Sequence, residues 1–365
     1  MLVAQNWLSR LLRGVNPSWD GVSAEEMDAA FVRVGFETEG FEPIPETTGP
    51  LVIGRVESIE ELTGFKKPIR HCMVNVGNAN GTGELQSIIC GARNFSEGDM
   101  VVVALPGCVL PGDFAISARE TYRRMSAGMI CSAAELGLTP QQNKGIITLD
   151  PQLQVEVGED ARPVISDTVF DVNITPDRGY ALSARGLSRE IASALDLDFS
   201  DVAENPQLAG LSVTVPDVSG DLLSVELRPE TKALRFGLRK VSGIDPTVES
   251  PWWLQRELML CGQRPVNAAT DVTNYLMLLL GQPMHAFDVD RITGDLVVRC
   301  AAEGEKMTTL DDVQRELHAE DVVICDDSGV QSLAGVMGGS TSEISDTTTD
   351  VYFEAATWDP ITVAR

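Results

Sequence analysis

Residues 264–288 read RPVNAATDVTNYLMLLLGQPMHAFD, and the fold of the remaining chain is read outward from them. A polar patch of Asn267, Thr270, Asp271, Thr273 and Asn274 runs into an apolar block over 275–280. Helical spacing over 268–280 puts Asp271, Asn274 and Leu278 on one face, and Thr270, Thr273 and Met277 on another. Gly281 suits the left-handed position just past a helix, and Pro283 forbids continuation. The expectation is a pocket wall. The helix would turn its polar first half and the following His285 toward one place, and its apolar second half would anchor in a core.

A chain of 365 residues exceeds one ordinary core, so two or three domains are expected. The apolar fraction of 43% is enough to build them. Acidic residues outnumber basic ones by 54 to 28, a net charge of −26, which on its own argues against nucleic-acid binding unless cations cluster locally. Cysteines 72, 90, 108, 131, 261, 300 and 325 are scattered without a C-x-x-C pair. They suggest neither a zinc site nor a disulfide framework, but small core residues in a reducing compartment. The first fifteen residues lack the apolar stretch and cleavage site of a secretory signal, and no apolar run is long enough to span a bilayer. The reading is a cytoplasmic protein with no membrane partner and no metal ligands.

Residues 1–40 read as two helices around Asn16-Pro17, the second opened by the capping box Ser23-Ala-Glu-Glu26 and closed at Gly35. Over about 50–150 the texture changes to short apolar runs between glycine turns: LVIGRVESIEE, HCMVNVGN, LQSIICG, MVVVAL and GIITL. Five such strands suggest a small barrel of the OB type. Arg55, Lys66, Lys67, Arg70 and His71 lie close in sequence, and Arg119, Arg123 and Arg124 form a second basic group. On a barrel they can follow a phosphate backbone, or they are simply solvated. Ser183 is expected to start an amphipathic helix carrying Leu187, Ile191 and Leu195. That helix would pack with residues 1–40, which makes the barrel an insertion. Farther on, Ser250 reads as an N-cap with Pro251 at the first turn of a helix over 252–261. The apolar runs DLVVRCA, AEDVVICDD and LAGVMGG follow, each bounded by turn residues, and DVYFEAATWDP (350–360) closes this mixed α/β segment.

Some residues stay open at this level. Gly335, Gly338 and Gly339 allow either a tight turn or a close backbone approach to a ligand. Glu354 sits within an apolar strand, so it is either at an edge or buried with a partner. His285 is one of three histidines, and no Ser-His-Asp triad, P-loop or zinc motif accompanies it.

Ile-Cys-Gly-Ala-Arg-Asn (89–94), Ala-Leu-Pro-Gly (104–107) and SAGMICS (126–132) followed by Glu135-Leu-Gly-Leu138 resemble the tRNA-binding OB domain of several synthetase-associated proteins. Where many members carry a His-Pro-Asn-Ala-Asp-like loop, this chain has LTGFKKPIRH (62–71). The resemblance makes RNA the expected partner, with Arg55, Lys66, Lys67, Arg70, Arg123 and Arg124 as the tRNA-binding set.

A second resemblance spans nearly the whole chain. RPVN (264–267), DVTNY (271–275), GQPMHAFD (281–288), LAGVMGG (333–339), Glu354-Ala and ITPDR (174–178) are similar to the β subunit of bacterial phenylalanyl-tRNA synthetase. It implies an α+β multidomain protein with a helical N-terminal unit (1–40 and 159–205), an inserted OB barrel (41–158) and a mixed α/β editing domain (206–365). In that family the last domain hydrolyses tyrosine misattached to tRNA(Phe), because an aromatic pocket cannot strongly reject a ligand that only adds a hydroxyl. By motif, Glu354 would accept from the tyrosine hydroxyl. Thr273, Asn274 and His285 would line the ester end, and Gly335 and Gly338 would admit the substrate. The implied partners are tRNA(Phe) and the α subunit, in a heterotetramer of two α and two β. ATP and Mg belong to the αβ enzyme, and no cofactor is expected in this segment. DPITVAR reads as the opening of a helix, so the chain is expected to continue past Arg365 and the pocket to need more. The competing readings are a stand-alone RNA-binding module without catalysis and a trans-editing hydrolase.

Overall fold

The computed structural model describes residues 1–140, 145–212, 214, 217 and 223–364. They fall into two compact units. The first comprises Met1–Gly179, Leu187–Phe199 and Pro251–Arg264; the second comprises Tyr180–Gly186, Ser200–Ser250 and Pro265–Arg365.

The first unit opens with strand Leu2–Ala4 (β1) and helices Gln5–Arg13 (α1) and Ala24–Arg33 (α2). The capping box forms in both halves. Ser23 Oγ accepts from Glu26 N at 3.2 Å, and a Glu26 carboxylate oxygen accepts from Ser23 N at 3.0 Å. Met27, Ala30 and Phe31 are the buried side of α2. Strands Glu37–Ile44 (β2) and Asp167–Asn173 (β12) join β1 in one antiparallel sheet, ordered β1-β12-β2. Phe170 of β12 packs on Phe31, ring centroids 5.6 Å apart.

Between β2 and β12 lie Leu51–Leu62 (β3), Ile69–Asn75 (β4), Gln86–Cys90 (β5) and Met100–Ala104 (β6). Two small hairpins follow, Val109–Leu110 (β7) with Phe114–Ala115 (β8), and Arg119–Thr121 (β9) with Arg124–Ser126 (β10). Met129–Ile130 (β11) completes a five-stranded antiparallel sheet, ordered β11-β6-β3-β4-β5. The first half of β3 pairs with β6 and the second with β4, with a bulge between Val56 and Ser58, so one long strand bends to serve two neighbours. The two ends of the sheet then meet. Ala127 N donates to Ser87 O at 2.8 Å and Ile89 N to Ser126 Oγ at 3.0 Å, which curls the sheet almost into a barrel around Val56, Val74, Ile88, Val101 and Val103.

The run GIITL (145–149) is not the fifth strand. It makes a single bridge, Thr148 to Val101, with Ile147 N bonding Cys131 O and Leu149 N bonding Met100 O. The two residues of β11 cover only the upper part of the free edge of β6, and 147–149 complete it, so two short pieces share the place expected for one strand.

A short helix, Arg162–Ile165 (α3), precedes β12, and Ala184–Ala194 (α4) begins where Ser183 Oγ accepts from Gly186 N at 3.0 Å. Leu187 and Ile191 are buried as the periodicity requires. Helix Trp252–Leu260 (α5) corrects the sequence expectation for its cap. Asp150, a hundred residues away, accepts from Trp252 N at 2.8 Å and Trp253 N at 3.1 Å. A carboxylate at first-turn amides adds a favourable interaction with the helix dipole to the hydrogen bonds. Ser250 donates instead to Asp271 at 2.6 Å. Arg256 and Glu257 of α5 are buried because each has a charged partner. Arg256 reaches Asp167 at 2.9 Å, and Arg10 reaches Glu257 at 3.1 Å.

In the second unit, Val225–Leu227 (β13), Leu296–Cys300 (β16), Val322–Asp326 (β19), Gly329–Leu333 (β20) and Met337–Gly338 (β21) form a sheet in the order β13-β16-β19-β20-β21. Arg235–Ser242 (β14), Met284–Asp288 (β15) and Asp350–Thr357 (β22) form a second, antiparallel sheet with β22 in the centre. Lys306–Thr308 (β17) and Gln314–Glu316 (β18) make a hairpin. The two larger sheets share a core in which Phe287 packs with Leu296, Val298, Val322 and Ile324. Helix Ala268–Leu280 (α6) lies against β15, and Pro360–Ala364 (α7) ends the described chain; Arg365 lies outside it. Among the described residues no helix is long and apolar enough to cross a membrane.

Candidate active site

Helix α6 has the bounds its sequence announces. Asn267 Oδ1 accepts from Thr270 N at 2.9 Å, and Gly281 takes φ +75° at the other end. Its polar first half is spent locally. Asp271, buried, accepts from Ser250 Oγ and, at 2.8 Å, from Val266 N, and Thr273 Oγ1 donates to Thr270 O at 2.7 Å. Burial holds the Asp271 carboxyl above its ordinary range. Asn274 is half-buried, and among the described residues its amide has no hydrogen-bond partner.

The helix and His285 do not point at one place. Ala269 of α6 packs with Ala286, Val351 and Phe353, which lie on one face of the β15–β22 pair. Side chains alternate along a strand, so His285 and Glu354 belong to the opposite face. Helical period gives way to strand period at 281–283, and sequence alone does not say which strand face the helix covers.

On that opposite face three predicted residues come together. His285 and Glu354 are direct cross-strand partners, and Leu238 is the partner of Glu354 on its other side. Gly338 lies beneath the His285 ring, where an added Cβ would stand 2.3 Å from Cε1. Phe287, two residues along the same strand, sets its ring edge-on to His285 with centroids 4.5 Å apart. His285 Nε2 is buried without a hydrogen-bond partner among the described residues, and burial alone lowers the imidazole from 6.5 to about 4. Glu354, 7% exposed, likewise has neither a hydrogen bond nor a salt bridge there, and burial raises its carboxyl to about 7. Two buried polar groups at facing strand positions, neither with a hydrogen-bond partner among the described residues, make this face a candidate ligand site.

Gly335 is elsewhere. At φ +71° it would place a Cβ 2.9 Å from Cδ1 of Trp358 and 3.1 Å from Val363, and it adjoins an open cavity of about 250 Å³ lined by Thr231, Asp321, Ala334, Trp358 and Thr362. Phe287, Leu238 and Trp358 were missed in the sequence. Phe287 could have been found from its i+2 position relative to His285; Leu238 depends on a strand pairing across more than a hundred residues.

The basic set on the near-barrel divides in two. Arg55 pairs with Glu57 at 2.8 Å, Arg70 with Glu61 at 2.8 Å and Arg124 with Glu60 at 3.2 Å. Lys66, Lys67 and Arg123 are exposed and form no salt bridge among the described residues. No group of three or more His, Cys, Asp or Glu among the described residues is placed to hold a metal ion.

Two family models match the chain: "Putative tRNA binding domain" over residues 51–160 and "B3/4 domain" over 232–365. The phenylalanine–tRNA ligase beta subunit of Corynebacterium glutamicum is 74% identical over all of this chain and 44% of its own length. Over its whole length the chain is similar to phenylalanine–tRNA ligase β subunits. The Corynebacterium efficiens member is 70% identical over the same shares, and the Nocardia farcinica member is 52% identical over 43% of its length. The chain thus spans less than half the length of these relatives. A solved N-terminal fragment of the phenylalanyl-tRNA synthetase β subunit from Pyrococcus horikoshii covers all of this chain and 69% of that fragment, at 11% identity and a TM-score of 0.34.

Proposed function

We propose that the second unit is an editing esterase that removes tyrosine from tRNA(Phe), within an αβ enzyme that charges the same tRNA with phenylalanine. The carrying observation is the buried, unpartnered pair His285–Glu354 over Gly338. An ionised Glu354 accepts a hydrogen bond from the phenol. A phenylalanyl ester offers no donor, so it leaves a buried carboxylate unpaired and is disfavoured. His285, held neutral by burial, positions water or the terminal adenosine. Asn274 reaches the ester end around β15, the edge strand of its sheet, while Thr273 fixes the helix and Gly335 admits substrate from the Trp358 side. Water adds to the ester carbonyl and the bond to the ribose oxygen breaks, releasing tyrosine and free tRNA. Positioning, with assistance from the substrate's own hydroxyl, supplies the rate.

The near-barrel binds tRNA(Phe) in this reading as an inserted OB domain (41–158) between the halves of an N-terminal unit (1–40, 159–205), with 206–365 as the editing domain. Lys66, Lys67 and Arg123 provide uncompensated charge, and Arg55, Arg70 and Arg124 exchange glutamate for phosphate. ATP and magnesium act in the αβ assembly of two α and two β chains in the cytoplasm. A pure RNA-binding module leaves the B3/4 match unexplained. Hydrolysis of tyrosyl-tRNA(Phe) by the αβ enzyme with His285→Ala tests the site. The turnover rate should fall at least about tenfold, and wild-type turnover would remove His285 from it.

A further inference from the structure

The near-barrel holds a cluster that the esterase reading does not use. In a chain of net charge −26, its arginines mostly stand against glutamates, Arg93 on Glu61 included. Lys66, Lys67, Arg119 and Arg123 are the exception: all four are exposed, and among the described residues none forms a salt bridge. They flank two aromatic rings from different loops. Phe65, between β3 and β4, meets Tyr122, at the tip of the β9–β10 hairpin, edge to face with centroids 4.9 Å apart. Each stays 37% exposed. Tyr122 and Arg123 hold φ +48° and +60°, the left-handed region that a two-residue hairpin turn requires and that Asn-Gly would occupy without strain. The chain keeps a ring and a cation there instead. A cavity of about 220 Å³ alongside is lined by Phe114, Arg119, Tyr122, Ser126 and Gly128.

Exposed rings beside unneutralised cations match an unpaired nucleotide, whose base offers a π face and whose flanking phosphates need charge. We propose that Phe65 and Tyr122 form a stacking platform for one unpaired base of single-stranded RNA, with Lys66, Lys67, Arg119 and Arg123 on the phosphates to either side. This rests on the reading that the near-barrel binds RNA, and it narrows that reading to the two hairpin tips. Duplex RNA, whose bases are already stacked, is excluded from the rings.

Fluorescence anisotropy of the full chain with a labelled, unstructured ten-nucleotide RNA and with a duplex of equal length tests it. The single strand should bind more tightly. Phe65→Ala and Tyr122→Ala should each weaken it about tenfold without changing the slope of log affinity against log salt, and Tyr122→Trp should retain binding. Arg119→Gln should reduce that slope by about 0.7. Tyr122→Gly relieves the backbone, so it should unfold no earlier than wild type and still lose binding, which separates recognition from folding. Single-strand affinity unchanged by both ring substitutions, or equal affinity for duplex, overturns the platform alone. No RNA binding by the wild-type chain overturns the platform and the RNA reading together.

Discussion

Glu354 and His285 stand opposite each other on β22 and β15, and burial drives both toward their uncharged forms. The directions have opposite consequences with pH. The Glu354 carboxyl, raised from 4.5 to about 7, costs stability as pH climbs through that interval, because the unfolded chain ionises first. The His285 imidazole, lowered from 6.5 to about 4, costs stability as pH falls from 6.5 toward 4, because the unfolded chain takes up the proton first. In the proposed esterase the ionised carboxylate is the form that selects tyrosine. Discrimination between tyrosyl and phenylalanyl esters should therefore rise from pH 6 to pH 8 with a midpoint near 7, and Glu354→Gln should flatten that profile; a flat wild-type profile would remove the ionised carboxylate from recognition. Gly338 carries a steric prediction. With His285 Cε1 2.3 Å from the place of a new Cβ, Gly338→Ala must push the ring aside, lowering esterase turnover at a stability cost of about 1–3 kcal/mol by thermal unfolding.

At the scale of elements, α6 was legible because every local signal agreed: a polar cap, an apolar block, a glycine stop and a proline beyond it. Gly281→Ala, forced into φ +75°, should cost about 1–2 kcal/mol in thermal unfolding. The start of α5 was not legible, since its cap comes from Asp150 across the fold and no local pattern reports a bond over that separation. Asp150→Ala should lower stability by about 0.5–2 kcal/mol, whereas Ser250→Ala should leave α5 intact and instead cost the buried Asp271 one of its two donors, Val266 N being the other. The same limit explains GIITL. Its composition reads as a strand, but β6 has only a partial edge left to offer. It explains the helix and His285 as well, whose relation depends on which strand face α6 covers.

At the scale of the molecule, two units and two family matches account for the change of texture near residue 50 and for the mixed α/β sequence after residue 230. Net charge does not report how charge is distributed over the near-barrel, where Arg55, Arg70 and Arg124 stand against glutamates while Lys66, Lys67 and Arg123 form no salt bridge among the described residues. That pairing is set by strand register: Glu60 and Glu61 face His71 and Arg70 across β3 and β4, and neither composition nor spacing displays it. The candidate site was legible as a set of motifs, not as a geometry. His285, Gly338 and Glu354 meet, while Gly335 lies beside Trp358 and Thr273 bonds its own helix. The central claim, that Glu354 reads the tyrosine hydroxyl, is tested by hydrolysis of tyrosyl- and phenylalanyl-tRNA(Phe) by the αβ enzyme with Glu354→Ala. Discrimination between the two esters should fall by about 100-fold or more, and wild-type discrimination in that variant would contradict the account.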